Sequence, residues 1–304
     1  MVTPGSDARP LRVDDLHITL PDGCRLFARV WRPETGPATP AILEATPYGV
    51  TINDLRTDDP RNRYIAERGY ACVRIDLRGS GNSEGEPLDE YVAQEQGDLV
   101  AVVAWIAAQP WCDGAVGMIG VSWGGFNVLQ TAARRPPALR AVVSVCASGD
   151  RYAHDVHYLG GCVLANEALG WSTDMLLVQS RPPDPLYAGE GWLDLWRARL
   201  EKLENLLSIW LAHQRRDDYW QHGSVCDDPE AIACPVLVVG GWADGYVSGT
   251  LDLVGRLDRV WGLVGPWTHG YPHINTPDPT IAFLDEQLRF WDRWLKKRNT
   301  NAET

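Results

Sequence analysis

The hydrophobic pattern divides the chain into a strand-rich start and a core in which strands and helices alternate. Residues 16–20 and 25–31 alternate apolar and polar positions around a Pro-Asp-Gly turn, which predicts a β-hairpin. From Ala41 onwards, short runs that are apolar throughout alternate with segments of helical periodicity. Strands of this kind occur in parallel sheets that helices cover on both faces. The pattern therefore predicts an α/β fold with a mostly parallel central sheet.

The elements of this core follow one another in regular order. The predicted strands cover residues 41–46, 70–76, 115–122, 141–147, 235–241 and 259–265. The predicted helices cover residues 62–68, 95–109, 124–134, 248–257 and 279–297. The last helix carries an apolar stripe and is rich in Trp, and it is a candidate surface for a homo-oligomer.

Residues 150–230 interrupt the alternation of strands and helices. They contain helix-like stretches, such as residues 191–213, and a break at the RPPDP sequence of residues 181–185. The simplest interpretation is a helical cap inserted above an active site. The predicted organisation is a first part of the core at 1–149, a cap at 150–230 and a second part of the core at 231–304.

Composition and charge exclude several classes of protein. The 304 residues are 45% hydrophobic and 22% charged, which suits a globular protein, and the net charge of -12 disfavours binding to nucleic acid. An uninterrupted apolar stretch long enough for a membrane span or a signal peptide is missing, so the expected location is cytoplasmic. The seven cysteines are scattered and form no C-x-x-C pair, which argues against a disulfide framework or a zinc ribbon.

The sharpest chemical signal is a G-x-S-x-G motif with Ser122 at its centre. Gly120 and Gly124 flank this serine, an apolar strand precedes the motif and a helix follows it. This is the context of a nucleophile elbow, in which a tight turn lifts the serine hydroxyl above the sheet. Small residues at the flanking positions let the turn close. Ser122 is therefore the candidate nucleophile.

A serine nucleophile needs a base and an acid that orients the base. The chain supplies Asp244 just after the strand 235–241 and His269 just after the strand 259–265. Because catalytic groups gather at the carboxyl ends of parallel strands, these two residues can reach Ser122. His273 is an alternative base, four residues further along. The histidines of the cap segment are expected at the surface or in local hydrogen bonds; they are His154, His157, His213 and His222.

Donors for an oxyanion come from two places in this arrangement. The backbone N–H of Trp123 follows the nucleophile, and Tyr48 in the loop after the strand 41–46 offers a phenolic hydroxyl. A second glycine-rich loop contains Gly79, Gly81 and Gly85, but its spacing differs from that of a dinucleotide fingerprint. We interpret that loop as structural, with Asp76 and Arg78 holding it beside the elbow.

Together these motifs resemble the cocaine esterase / X-Pro dipeptidyl-peptidase family of α/β-hydrolases. The matching pieces are TPYG, the D-x-R-G-x-G-x-S-x-G run from Asp76, GVSWGG, GGWADGY and GPWTHG, spread over residues 13–298. The resemblance implies the α/β-hydrolase fold, acyl transfer on esters or amides, and an oxyanion hole of Tyr48 and the Trp123 N–H. Members of this family typically continue into a C-terminal β-sandwich domain, which this sequence is expected to lack.

The expected activity is that of a serine hydrolase acting on a small ester, amide or short peptide through an acyl-enzyme, without cofactor or metal. Trp242, Tyr246 and Trp267 are candidate substrate-binding residues for a bulky or apolar acyl group. Two alternatives stay open. One is a peptidase of the X-Pro dipeptidyl-peptidase type, whose substrate has a free amino group that carboxylates in the pocket would bind. The candidate carboxylates are expected to be exposed to solvent instead; they are Asp150, Asp155, Glu167 and Asp174. The other is a non-catalytic binding subunit on a hydrolase scaffold.

Overall fold

A computed structural model describes residues 10–52 and 58–302. The strands are β1 (Leu11–Thr19), β2 (Arg25–Pro33), β3 (Thr39–Thr46), β4 (Ala71–Asp76), β5 (Cys112–Val121), β6 (Leu139–Val145), β7 (Tyr158–Leu159), β8 (Cys162–Val163), β9 (Val236–Gly241) and β10 (Val260–Gly265). The α-helices are α1 (Asp59–Glu67), α2 (Ala93–Ala107), α3 (Trp123–Ala133), α4 (Ala165–Gln179), α5 (Pro185–Ala188), α6 (Trp192–Lys202), α7 (Leu206–Ala212), α8 (Asp218–Gln221), α9 (Val247–Arg256) and α10 (Phe283–Trp294).

Eight strands form one sheet in the order β1-β2-β4-β3-β5-β6-β9-β10. β1 and β2 are the antiparallel hairpin that the alternating pattern predicts, and β2 also pairs antiparallel with β4. From β4 to β10 every neighbouring pair is parallel. The predicted α/β class and the mostly parallel sheet are confirmed.

The central strands are buried on both faces, as continuous apolar runs require. Every residue of β3, β4 and β9 is buried. Helix α3 is also buried along most of its length. It begins immediately after β5, so the sheet and this helix together form a rigid base under the turn between them.

The segment between β6 and β9 carries helices α4 to α8 and the two-residue strands β7 and β8. The prediction of one helix-like stretch over 191–213 is wrong, because the chain breaks between α6 and α7. Asn205 starts the second helix by accepting a hydrogen bond from the Leu207 N–H. The β7–β8 pair was not foreseen. The division into 1–149, 150–230 and 231–304 stays a prediction, and its residues 1–9, 53–57, 303 and 304 lie outside the described residues.

The last helix is shorter than predicted, since α10 spans Phe283–Trp294 instead of 279–297. The carbonyl of Pro279 accepts a hydrogen bond from the Trp267 indole at 2.9 Å, which ties this part of the chain to the loop after β10. Trp291 of α10 is fully buried, and a Cβ on Gly117 of β5 would lie 2.8 Å from its ring. This tryptophan therefore packs inside the molecule, and self-association through α10 stays a prediction.

Two further properties bear on the sequence analysis. Among the described residues, none of the helices combines the length and the apolar character needed to cross a lipid bilayer. All seven cysteines are free thiols, and Cys72, Cys112 and Cys146 are buried.

Candidate active site

The carboxyl ends of the parallel strands meet along one edge of the sheet. Val121 pairs with Val145, and Gly241 pairs with Gly265, so β5, β6, β9 and β10 end at similar heights. The turns and loops that follow these strands carry Ser122, Cys146, Asp244 and His269. The parallel topology thereby brings together residues that are far apart in sequence.

Ser122 occupies the strained turn that the motif predicts. Its φ is 58° and its ψ is -120°, a conformation that residues other than glycine rarely adopt. Its backbone N–H donates to the Val145 carbonyl at 2.9 Å. A Cβ on Gly120 would lie 2.3 Å from the Gly124 backbone, and a Cβ on Gly125 would lie 2.7 Å from the Val145 carbonyl oxygen. The close approaches are therefore at Gly120 and Gly125, whereas a Cβ on Gly124 would meet nothing closer than 3.4 Å.

Asp244 and His269 form a hydrogen-bonded pair. Nδ1 of His269 lies 2.9 Å from Oδ1 of Asp244. The carboxylate side chain is 2% exposed and the imidazole 43% exposed. Burial opposes ionisation, but the hydrogen bond and charge of His269 hold the pKa of Asp244 below its usual value. The pair thus combines a buried, ionised carboxylate with an imidazole that reaches solvent.

His273, the alternative base, is in a different environment. Its Nδ1 is buried without a hydrogen-bond partner among the described residues. Burial, reinforced by the charge of Arg61, lowers the pKa of His273 to about 4. Neither of the cavities that contain Ser122 includes His273 in its lining. This geometry favours His269 over His273.

Tyr48 lies in contact with the elbow. Its side chain lines the same cavity as Ser122, and burial raises the pKa of Tyr48, so the hydroxyl stays protonated and can donate. The loop that carries Tyr48 is anchored by Asp76, whose carboxylate accepts from the Val50 N–H at 2.6 Å and the Asn82 N–H at 2.8 Å. The bond from Asn82 holds the glycine-rich loop, as the sequence analysis expects, whereas the bond from Val50 to the Tyr48 loop is an additional contact.

Trp123 contributes to the site through its backbone and its indole. Because α3 begins at Trp123, its N–H is among the first of the helix and has no partner inside the helix. The indole Nε1 donates to the buried carboxyl of Glu95 at 2.8 Å. That bond fixes the tryptophan that follows the candidate nucleophile.

Two cavities meet at Ser122 and His269. The first, of about 370 Å³, is lined by Glu90, Tyr91, Ser122, Val156, Glu167, Gly170, Trp171, Asp174, Asp244, Gly245, Tyr246 and His269. The second, of about 800 Å³, is lined by Glu44, Thr46, Tyr48, Ile52, Asp58, Arg74, Val121, Ser122, Trp171, His269, Gly270, Tyr271 and Ile274. Helix α4 supplies Trp171 to both. A substrate therefore has room on two sides of the serine.

Only one of the three predicted substrate-binding aromatic residues lines a cavity that contains Ser122. Tyr246 lines the first cavity. Trp242, which directly follows β9, is 64% exposed and lines neither cavity. Trp267 is buried, with its ring against Gly265 and its indole bonded to Pro279. These two tryptophans are corrections to the sequence interpretation, since neither of them lines a cavity that contains Ser122.

The segment between β6 and β9 provides part of the wall of the first cavity, including Glu167 and Asp174, which are exposed as the sequence analysis expected. Glu167, Gly170, Trp171 and Asp174 lie on one face of α4 and line the first cavity. Their spacing of three, four and seven residues is helical, so the pattern was available in the sequence. Asp150 instead accepts hydrogen bonds from the backbone N–H groups of residues 152 and 153.

The sequence analysis did not predict the buried ionic network that lies behind this wall. His157 is 1% exposed, with Nε2 3.0 Å from Oε2 of Glu90 and Nδ1 3.3 Å from Oδ2 of Asp155. Burial disfavours its charge, but Glu90 and Asp155 raise the pKa of His157 to about 10. Asp155 also accepts from the Tyr246 hydroxyl at 2.9 Å. Because Glu90 and Tyr246 line the first cavity, the network supports its wall, and neither His157 nor Asp155 lies at the surface.

Comparison with known proteins assigns the chain to a protein family. The model of the X-Pro dipeptidyl-peptidase (S15) family matches residues 22–271. The chain is 30% identical to a cocaine esterase of Rhodococcus sp. (strain MB1 Bresler), over 90% of this chain and 54% of the esterase. It is 30% identical to a putative serine esterase of Mycobacterium bovis, over 96% of this chain and 58% of that protein. The chain thus spans little more than half the length of these relatives.

Solved structures agree with the fold. A CocE/NonD family hydrolase from Staphylococcus aureus superimposes with a TM-score of 0.76 at 21% identity, over 96% of this chain and 52% of the hydrolase. The α/β-hydrolase fold predicted from the motifs is therefore confirmed.

Proposed function

The chain belongs to the X-Pro dipeptidyl-peptidase (S15) family, and we propose that it is a serine hydrolase that cleaves carboxylic ester or amide bonds through an acyl-enzyme. The observation that carries this proposal is the Asp244–His269 pair, 2.9 Å apart, in the same cavity as Ser122 on its strained turn. A buried carboxylate, an accessible imidazole and a raised serine hydroxyl are the parts that acyl transfer requires.

In the proposed mechanism, Nε2 of His269 accepts the Ser122 proton while Oγ forms a bond to the substrate carbonyl carbon. Asp244 accepts the Nδ1–H bond and stabilises the imidazolium. The imidazolium then gives its proton to the leaving alcohol or amine as that bond breaks. A water molecule, deprotonated by His269, attacks the acyl-enzyme, and the proton returns to Ser122 as the acid leaves.

The negative charge of the tetrahedral intermediate needs donors that are already in place. In this proposal the Tyr48 hydroxyl and the Trp123 N–H supply them. The anchoring of the Tyr48 loop by Asp76 supports this assignment, because a donor held before the reaction needs no reorganisation during it.

A bulky or apolar acyl group is the substrate class that we propose for the first cavity. With Trp242 and Trp267 elsewhere, the support comes from Tyr91, Trp171 and Tyr246 in its lining. We expect phenylacetyl and benzoyl esters to react faster than acetyl esters of the same alcohol. Faster turnover of the acetyl esters in steady-state assays would contradict this assignment.

A dipeptidyl-peptidase-like activity is a second candidate, favoured by the acidic lining of the first cavity. Glu167 and Asp174 are exposed to it, and neither lysine nor arginine is among the described residues that line it. The carboxylate of Glu90 is already paired with His157. A substrate ammonium group would therefore be attracted to Glu167 and Asp174.

Matched substrates separate the two candidates. We expect Glu167→Gln together with Asp174→Asn to raise KM for an X-Pro amide with a free amino group and to leave KM for a neutral ester unchanged. Asp194→Asn on α6, where the side chain is 89% exposed, is the control. Equal effects on both substrates would show that the acidic lining does not select an amine.

Labelling with a fluorophosphonate probe is the experiment that tests the proposed function. The wild-type protein should be labelled, Ser122→Ala should not, and Ser208→Ala, an exposed serine on α7, should be labelled like the wild type. A folded wild-type protein that does not react would contradict the proposal and favour a non-catalytic binding role on the same scaffold.

A further inference from the structure

Cys146 lies directly beneath the Asp244–His269 pair. It follows β6, the neighbour of β9 in the sheet, and its backbone N–H donates to the Val239 carbonyl at 2.8 Å. Its φ of 51° is unusual for a residue with a side chain. The thiol is buried, and Sγ lies 3.8 Å from the Gly270 carbonyl oxygen. This backbone holds the sulfur between the loops that carry Asp244 and His269.

The three side chains form a compact donor set. One atom each from Cys146, Asp244 and His269 lies within 4.8 Å of the other two. Oδ2 of Asp244 is buried and accepts no hydrogen bond from the described residues. Thiolate sulfur, carboxylate oxygen and imidazole nitrogen are each zinc ligands in proteins, and three protein ligands with a fourth position left open are typical of catalytic zinc sites. We propose that Cys146, Asp244 and His269 form an inhibitory binding site for a thiophilic divalent cation such as Zn²⁺.

The geometry requires a small displacement. With zinc bonds of about 2.0–2.3 Å in a tetrahedron, neighbouring ligand atoms are about 3.4–3.6 Å apart. Nδ1 of His269 and Oδ1 of Asp244 are 2.9 Å apart, so the imidazole must move outwards by about 0.5 Å. The imidazole side chain is 43% exposed and borders the first cavity, so it has room for this shift. Asp244 and His269 both line this cavity, so a cation can reach them from it.

Metal binding at this site would remove the catalytic base, a consequence that rests on the proposed function. The cation bonds to Sγ of Cys146 and the thiol proton leaves to solvent. At His269 the cation takes the Nδ1 lone pair, so the single imidazole proton is carried by Nε2. Nε2 can then no longer accept the Ser122 proton, and Asp244 no longer orients the ring. Serine attack stops although Ser122 itself is untouched.

The donor set also predicts selectivity. Thiolate and imidazole ligands favour Zn²⁺ and Co²⁺, whereas Mg²⁺ and Ca²⁺ prefer sites made of oxygen ligands. Inhibition should therefore occur with the first two ions and be absent with the last two at the same concentration.

Cobalt binding tests the site independently of activity, because a Co²⁺–thiolate bond gives a charge-transfer absorption in the near ultraviolet. We expect this absorption to saturate at one equivalent in the wild-type protein and in Cys162→Ser, which removes an exposed thiol. It should be absent in Cys146→Ser. His269→Gln changes an accessible side chain and provides a second variant if Cys146→Ser does not fold. It should retain the cobalt–thiolate absorption but bind Co²⁺ at least tenfold more weakly.

Activity and labelling complete the test. Relative to each protein's own metal-free rate, Zn²⁺ should inhibit Cys146→Ser at least tenfold more weakly than the wild type, and Zn²⁺ should slow fluorophosphonate labelling of the wild type. Equal cobalt spectra in the wild type and Cys146→Ser, or undiminished affinity in His269→Gln, would overturn the metal site. A cobalt signal that depends on Cys146 in a protein without hydrolase activity would support the site and contradict only the proposed function.

Discussion

At the residue scale, the elbow depends on how closely its backbone packs. A Cβ on Gly125 would meet the Val145 carbonyl oxygen at 2.7 Å and the Ala147 Cβ at 2.8 Å, whereas a Cβ on Gly124 finds its nearest atom at 3.4 Å. Both glycines lie in α3. The motif in the sequence marks Gly124, but the crowding in the fold is at Gly125.

Alanine at these two glycines should therefore have opposite outcomes. We expect Gly125→Ala to lower the free energy of unfolding by about 1–3 kcal/mol, because the new methyl group displaces the end of β6. Gly124→Ala should be neutral or stabilising by up to ~1 kcal/mol, since alanine favours a helix over glycine. Urea denaturation of both variants measures the difference. A Gly125→Ala protein as stable as Gly124→Ala would contradict the packing argument.

Tyr48 offers a second test at this scale. Phenylalanine keeps the ring against Trp171, 6.3 Å away between centroids, and removes the hydroxyl that meets Ser122. We expect Tyr48→Phe to lower kcat roughly 10²–10³-fold, the usual effect of losing one oxyanion donor. Tyr64→Phe, which loses a hydroxyl bonded to Asp285, is the control. Steady-state kinetics on one ester suffices, and an unchanged kcat would remove Tyr48 from the mechanism.

At the scale of elements, the inserted segment is held to the core by a buried cation. Arg199 of α6 is 1% exposed and donates to the carbonyls of Gly81 at 2.9 Å and Gly85 at 3.3 Å, and also to that of Ser83. Burial lowers the pKa of Arg199 to about 10, so the group remains charged at neutral pH. The glycine-rich loop after β4 thus serves as the docking surface for α6.

Removal of this guanidinium should loosen the attachment. We expect Arg199→Met to lower the free energy of unfolding by about 2–4 kcal/mol, because three buried carbonyls lose their donors. Arg197→Met on the same helix, where the side chain is 65% exposed, should change it by less than about 0.5 kcal/mol. Equal denaturation midpoints for the two variants would show that α6 does not depend on this contact.

At the scale of the whole molecule, several buried groups hold protons more tightly in the folded state. Burial raises the pKa of Asp76 to about 6. For His157 burial acts in the opposite direction, but the charges of Glu90 and Asp155 outweigh it and raise the pKa to about 10. Burial also raises the pKa of Glu95 to about 8, although the hydrogen bond from Trp123 opposes the rise. Each such group stabilises the fold below its unfolded pKa, and this contribution is lost as the pH rises through the folded value.

Glu95 allows this linkage to be measured. Between its ordinary value of 4.5 and about 8, the folded carboxyl keeps a proton that the unfolded one releases. The stability of the wild type relative to Glu95→Gln should therefore fall with increasing pH, by at most about 1.4 kcal/mol per pH unit. Glutamine preserves an oxygen acceptor for the Trp123 indole. Unfolding free energies of both proteins across this range test the sign, and parallel pH curves would contradict it.

The sequence by itself determined the order of the strands and helices in the α/β core, outside the segment between β6 and β9, and the candidate triad. Apolar runs, helical periodicity and the G-x-S-x-G turn are local patterns, and each reports burial or backbone geometry of its own segment. Once the strands are parallel, residues that follow β5, β9 and β10 must lie at one edge of the sheet. Ser122, Asp244 and His269 could therefore be named together without coordinates.

Tertiary structure alone decided which remote groups meet and which way each side chain is directed. The pairing of His157 with Glu90 and the placement of Cys146 beneath Asp244 depend on contacts between distant segments. The pattern of apolar and polar residues also did not predict that Trp242 is exposed to solvent or that α6 and α7 are separate helices. The physical reason is that periodicity records how much a residue is buried, whereas partners and cavities arise only when separate elements pack against one another.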